Sequence, residues 1–226
     1  MTRRGVVLIA VVVVLAAAAA LVFILDPFNW GPQPEPAPVY TIAIDAGHGG
    51  RDPGAMADDV MEKDINLTIA GILTELVNAE EDLIAVQIRT LDIFVPLEDR
   101  ILQAEEAGAE VYVTVHVNSY GTDEPEGVET IIDNTRELDS ESWVLGELIQ
   151  DGVTQATGAH DRGTRSQESY LQRTEIPAVS VETGYVTNPA ERAKLIDPEY
   201  QARIAQGILN GIRQFIDWKY DSPSAP

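Results

Sequence analysis

Three stretches of this sequence read as strands that run out into residues able to bind a divalent metal. Thr41-Ile42-Ala43-Ile44-Asp45-Ala46-Gly47-His48-Gly49-Gly50 carries a histidine at the tip of a glycine-rich turn. Glycine there permits φ > 0 or the close approach of another group. Val111-Tyr112-Val113-Thr114-Val115 ends on His116, and Ala178-Val179-Ser180-Val181 ends on Glu182. Glu62 stands just before a helical pattern. Two imidazoles and one carboxylate with an open fourth position form a hydrolytic zinc arrangement, which makes His48, Glu62 and His116 the candidate ligands. Zinc so held polarises a carbonyl, lowers the pKa of water towards ~7 and stabilises an oxyanion. A second carboxylate must then take the water's proton and hand it to the leaving amine, and Glu182 is the candidate. Spacing alone leaves plainer readings open: a tight turn at His48, a helix-start carboxylate at Glu62 favoured by the dipole, and a strand-end surface acid at Glu182.

The elements that must position these groups alternate. Val39–Ile44, Leu83–Ile88, Val111–Val115 and Gly127–Ile132 read as strands, as does Ala178–Val181, with Tyr170-Leu171 as a further short one. Asp52-Pro53-Gly54 marks a turn. Helices are expected over Lys63–Val77, Pro96–Ala107, Ser140–Thr157 and Tyr200–Trp218. The apolar faces of the first and last are Ile65, Ile69, Ile72, Leu73 and Leu76, and Ile204, Ile208, Ile212 and Phe215. Pro96 begins the second helix and Gly108 follows it; Ser140 is placed to cap the third. Alternation of this kind predicts an α/β domain with a mostly parallel sheet covered by helices on both faces. Ligands collect at the carboxyl ends of such strands, which is where His48, His116 and Glu182 fall.

Composition narrows the function. The chain has no cysteine among its 226 residues, so thiolate metal sites, disulfides and a cysteine nucleophile are excluded. Its net charge is −22, which argues against nucleic acid as a partner and against adhesion to an anionic surface. Arg3 and Arg4 precede the uncharged run Gly5–Leu25, long enough to span a bilayer as a helix. The positive flank places the remainder outside the cytoplasm. A cleaved signal peptide is the alternative, which would leave the domain secreted; the length of the run favours an uncleaved membrane anchor. The expected organisation is a cytoplasmic stub and transmembrane anchor at 1–30, a proline-rich linker at 31–38, a catalytic domain at 39–220 and a flexible tail at 221–226. The domain is expected to be a monomer.

Several blocks, in order, resemble the zinc-dependent N-acetylmuramoyl-L-alanine amidases of the amidase-3 family. They are Ile44–Gly50 with Asp52-Pro53-Gly54-Ala55, Glu62–Leu67, Arg89-Thr90 with Asp92, His116-Val117-Asn118, Gly127–Thr130, Asp161-Arg162-Gly163, and Pro177–Tyr185 with Asn188. The resemblance spans Val39 to Ile216. It implies a six-stranded twisted sheet flanked by helices, zinc on His48, Glu62 and His116, and Glu182 as the catalytic acid–base. It implies peptidoglycan as substrate, cut between N-acetylmuramic acid and the L-alanine of the stem peptide. Val117 stands where alanine is usual in the family, and Ala104-Glu105 where Ala-Asn is common. No long insertion separates the fourth strand from its helix, so the site is expected to be open. The alternatives are an amidase-like domain that holds peptidoglycan without cutting it, and a metal hydrolase with another amide substrate. His160 is expected in an exposed loop. Asn118 is expected to support the site from behind, to face substrate or to form a turn, and Arg162 to meet either a stem-peptide carboxylate or an ordinary salt-bridge partner.

Overall fold

The computed structural model describes residues 38–221. The apolar run 5–25 and all but the first residue of the C-terminal tail lie outside them. Among the described residues no helix is long and apolar enough to cross a membrane.

The chain begins with strand β1 (Tyr40–Ala46), then a small hairpin of β2 (Met56–Ala57) and β3 (Val60–Met61) that leads into helix α1 (Glu62–Val77). β4 (Leu83–Gln87), α2 (Leu97–Glu106), β5 (Val111–Asn118), β6 (Val128–Asp133), α3 (Glu141–Thr157) and β7 (Asp161–Gln167) follow. After a 3₁₀ turn at Tyr170–Arg173 come β8 (Ala178–Tyr185), α4 (Pro189–Leu195) and α5 (Pro198–Ile216). Six strands form one sheet in the order β4-β1-β5-β8-β6-β7. The junctions are parallel except β6 against β8, which is antiparallel. The sheet is therefore mixed: mostly parallel, as expected, with β6 and β7 running against the other four.

Side-chain alternation assigns the two faces. Ile42 and Ile44 of β1, Val111, Val113 and Val115 of β5, and Val179 and Val181 of β8 pack with α1, α3 and α5 in one large core. The opposite face carries Ala43, Tyr112 and Ala178, covered by α2 and the 3₁₀ turn through Ile101, Ala104 and Leu171. Helices do lie on both faces, but unequally. The face with the thinner cover also receives Asp45, Thr114, His116, Ser180 and Glu182, one residue on from each core position.

Two expectations need correction. Tyr170-Leu171 is a 3₁₀ turn, not a strand; Ser169 caps it by accepting from Leu171 N, and its single apolar pair plugs the thin face. Ser140 sits at the N-terminus of α3, but its side chain makes no capping bond and its hydroxyl is unpartnered. Besides the β2–β3 hairpin, β7 and α4 carried no clear sequence signal. β7 is the polar stretch DRGTRSQ at a sheet edge, half-buried at most. α4 and the first turn of α5 are started by Asn188-Pro189 and Asp197-Pro198, whose side chains accept from Ala190 N and Tyr200 N.

Helices α3 and α5 meet through glycines. A Cβ on Gly207 would stand 2.6 Å from Val153 Cα, and one on Gly211 2.5 Å from Ile149 Cα. Alanine is the better helix former by about 1 kcal/mol, yet here overpacking outweighs propensity. Gly207→Ala is expected to lower unfolding free energy by about 1–3 kcal/mol. A denaturation midpoint equal to or above that of the parent chain would contradict it.

Candidate metal centre

β1 leaves the sheet at Ala46 and turns through Gly47–Gly50. His48 lies in the turn with φ of 62°, the left-handed region a non-glycine residue seldom occupies. Two arginines hold it there. Arg100 of α2 donates to Asp45 Oδ1 at 2.7 Å, Ala46 O at 2.8 Å and His48 O at 2.6 Å. Arg89, just past β4, donates to Ala46 O at 2.8 Å, Gly47 O at 3.0 Å and Lys63 O at 2.8 Å. Both guanidiniums are buried. The second oxygen of Asp45 accepts from Tyr112, Thr114 and Tyr170 at 3.0, 2.9 and 3.1 Å. Gly47 is needed for space: a Cβ on it would lie 2.2 Å from the His116 ring.

Glu62 opens α1. Its Oε2 accepts from Ala55 N at 2.7 Å, and its Oε1 from Val117 N at 3.0 Å and Asn66 Nδ2 at 3.3 Å. His48 Nε2 stands 3.2 Å and His116 Nδ1 2.9 Å from the same Oε1. The three ligand atoms lie within 4.8 Å of one another. The two rings meet edge-on, centroids 5.0 Å apart. Zinc bonds of ~2.0–2.1 Å in a tetrahedron hold ligand atoms ~3.4 Å apart, so the His–Glu spacings are already near those of a zinc site. Two nitrogens and one carboxylate oxygen are also the donor types zinc accepts. Asp52 completes the arrangement from behind: His48 Nδ1 donates to its Oδ2 at 2.9 Å, which directs Nε2 towards Glu62.

Electrostatics follow the geometry. Burial disfavours the imidazolium of His48, but Glu62 and Asp52 outweigh it and raise the pKa to about 9. His116 is raised in the same way: burial opposes, while Glu62 and Glu182 prevail. Burial pushes Glu62 up, yet the two imidazoles hold its carboxyl far below the usual range. Protons and a divalent cation therefore compete for the same nitrogens.

Glu182 lies in register between His116 on β5 and Glu129 on β6. Burial, countered by His116 and aided by Glu62 and Glu129, raises its pKa to about 7. It lines a cavity of about 230 Å³ together with His116, Glu129, Ser180 and Tyr170. The His48 and His116 side chains keep 27 % and 19 % of their surface, so solvent reaches both rings.

The structure thus brings His48, Glu62, His116 and Glu182 together. His160 is exposed and stands apart from them. Arg162 pairs with Glu129, and Asn118 donates to Glu129 at 2.6 Å. Sequence reasoning missed Asp52, hidden in a turn signal, and Asn66, which sits four residues after Glu62 on one helix face. It also missed Arg89 and Arg100, whose partners are mostly backbone.

Asp52→Ala is expected to weaken zinc binding by about 10–100-fold, read by competition with a chromophoric chelator. Unchanged affinity would mean that the backbone alone orients His48.

Comparison with known proteins covers the same part of the chain. The family model described as Amidase_3, N-acetylmuramoyl-L-alanine amidase, matches residues 42–214. The uncharacterized protein YqiI of Bacillus subtilis (strain 168) is 36 % identical over 184 residues, covering 81 % of this chain and 88 % of YqiI. The N-acetylmuramoyl-L-alanine amidase LytC of the same organism is 35 % identical over 172 residues, 76 % of this chain but only 34 % of LytC. The crystal structure of N-acetylmuramoyl-L-alanine amidase from Clostridium difficile 630 superposes with a TM-score of 0.77 at 32 % identity, covering 81 % of this chain and 100 % of that one. With the match running from the strand that carries the first histidine almost to the end of the last helix, the chain belongs to the Amidase_3 family of N-acetylmuramoyl-L-alanine amidases.

Proposed function

We propose that the chain is a zinc-dependent peptidoglycan amidase that hydrolyses the bond between N-acetylmuramic acid and the L-alanine of the stem peptide. The observation that carries this reading is the convergence of His48, Glu62 and His116 within 4.8 Å, with Glu182 on the neighbouring strand, in a chain of that family. His48 Nε2, Glu62 Oε1 and His116 Nδ1 would hold the ion. Zinc, when bound, supplies Lewis acidity: it polarises the amide carbonyl and makes water a stronger acid.

The remaining work falls to this chain's own groups. Glu182, at the wall of the cavity, accepts a proton from the attacking water and returns it to the departing nitrogen. Its raised pKa suits a group that must both take and give a proton near neutrality. Asp52 keeps His48 in the tautomer that presents Nε2. Val117 N and Ala55 N fix both oxygens of Glu62. Retention of all four groups argues against a domain that only holds peptidoglycan.

The uncharged run at 5–25, preceded by two arginines, supports a membrane-tethered domain outside the cytoplasm. A single chain supplies every group of the centre, so a monomer suffices.

Glu182→Gln is expected to lower kcat on purified peptidoglycan by about 10²–10⁴-fold while stoichiometric zinc is retained. Labelling of newly exposed amines should identify L-alanine as the product terminus. Amine release by Glu182→Gln at the parent rate would remove Glu182 from the mechanism. Release of a different terminus would point to another amide substrate.

A further inference from the structure

We propose that Arg165, supported by Arg162, forms a subsite for a carboxylate on the peptide side of the scissile amide, two or three residues from the cut. This deepens the amidase reading and rests on it.

The placement comes from register. Glu182 on β8 is paired with Glu129 on β6, and β6 in turn pairs Ile131 with Arg165 and Asp133 with Gln167 of β7. Residues opposite one another in a ladder share a face. Glu182, Glu129, Ile131 and Gln167 all line the cavity beside the metal centre. Arg165 is set opposite one of these residues and two positions before another, and its Nε stands 3.2 Å from Glu129, which lines the cavity.

Its charge is only partly answered. Arg162 Nε and Arg165 Nε both stand 3.2 Å from the same oxygen, Glu129 Oε2. Asn118 Nδ2 and Tyr185 OH donate to the other oxygen, at 2.6 and 3.2 Å. Two guanidiniums over one carboxylate leave one positive charge, on a chain whose net charge is −22. The two arginines are not equivalent. Arg162 is the more enclosed, with 24 % of its side chain exposed, and lies over the Tyr185 ring. Arg165 is 52 % exposed and uses Nε towards Glu129 and Arg162 O. Among the described residues its two terminal nitrogens have no hydrogen-bond acceptor. Those two N–H edges are the fork that binds a carboxylate bidentately.

The reach sets which carboxylate is read. Glu182 and β7 are two strand spacings apart, roughly 10 Å at ~4.8 Å per strand. An extended peptide covers ~3.3–3.6 Å per residue. A chain leaving the scissile amide along this face therefore brings its second or third residue to Arg165. The specificity expected is for a free carboxylate there over its amide.

The test uses the full chain and two muramoyl peptides, identical except that the second- and third-residue carboxylates are free in one and amidated in the other. The parent chain is expected to favour the free acid by about tenfold in kcat/KM, chiefly through KM. In Arg165→Gln this ratio should fall to about one, and in Arg165→Lys it should be partly kept. The ratio is taken within one enzyme sample, so a partly misfolded variant does not distort it. Equal cleavage of both peptides by the parent chain, or an undiminished preference in Arg165→Gln, overturns the subsite and leaves the amidase reading standing. Cleavage of neither peptide at the muramoyl amide overturns both.

Discussion

The carbonyls of the turn after β1 are gripped by two buried guanidiniums, and the candidate metal centre depends on that grip. Burying an ion costs several kcal/mol unless its hydrogen bonds are replaced. Arg100 has a buried carboxylate, Asp45, and three further acceptors to satisfy it. Among the described residues Arg89 has no carboxylate within hydrogen-bond reach; four backbone carbonyls take that place. Burial, with Arg100 nearby, lowers the Arg89 pKa, but arginine stays charged in proteins. A turn that moved would strand these charges, so the turn is held. Arg89 also bonds Gly47 O beside one histidine and Lys63 O beside the glutamate. One side chain thereby ties two ligand-bearing segments from different parts of the chain to a common frame.

The topology explains why the centre lies where it does. The connection from β1 leads outward to β4, on one side, while the chain leaving β5 reaches β6 on the other. Adjacent parallel strands whose connections diverge leave a crevice at their carboxyl ends, the switch point of an open α/β sheet. His48 follows β1 and His116 ends β5, so the two imidazoles flank that crevice. Glu62 enters it from the start of α1. The unequal cover of the sheet does the rest. Three helices close one face, whereas α2 and a 3₁₀ turn close only part of the other, and the uncovered part over β8, β6 and β7 is the cavity.

Much of this was legible in the sequence because strand alternation and metal-ligand chemistry are both local signals. Val111–Val115 reads as a buried strand, and the residue that follows it must emerge at the strand's end; the same holds for Glu182. Glu62 is legible as a helix-start acid, though its role as the hub of the centre comes from Ala55 and Val117, which only the fold brings near. β7 was not legible because an edge strand buries little, and DRGTRSQ has neither apolar alternation nor β-branched density. The reversal of β6 against β8 is a pairing choice, not a property of either strand. The structural roles of Arg89 and Arg100 left no sequence signal because their acceptors are mostly carbonyls, which every residue carries. Asp52 illustrates a signal with two meanings: the Asp-Pro-Gly turn is real, and the same carboxylate orients His48.

The row of groups across the thin face has its own logic. His116, Glu182 and Glu129 stand in successive strands at one register level, with Arg162 and Arg165 beyond Glu129. The ladder fixes their spacing, so none can approach another without breaking backbone bonds. Both oxygens of Glu129 are engaged, by two arginines, Asn118 and Tyr185. Among the described residues Glu182 has only the Ser180 hydroxyl, at 3.5 Å. Two glutamates one strand apart therefore differ in their partners: both oxygens of Glu129 are held, while burial raises the pKa of Glu182 to about 7. That difference arises from neighbours on adjacent strands: Glu182 stands in register with His116, and Glu129 holds the arginines in place.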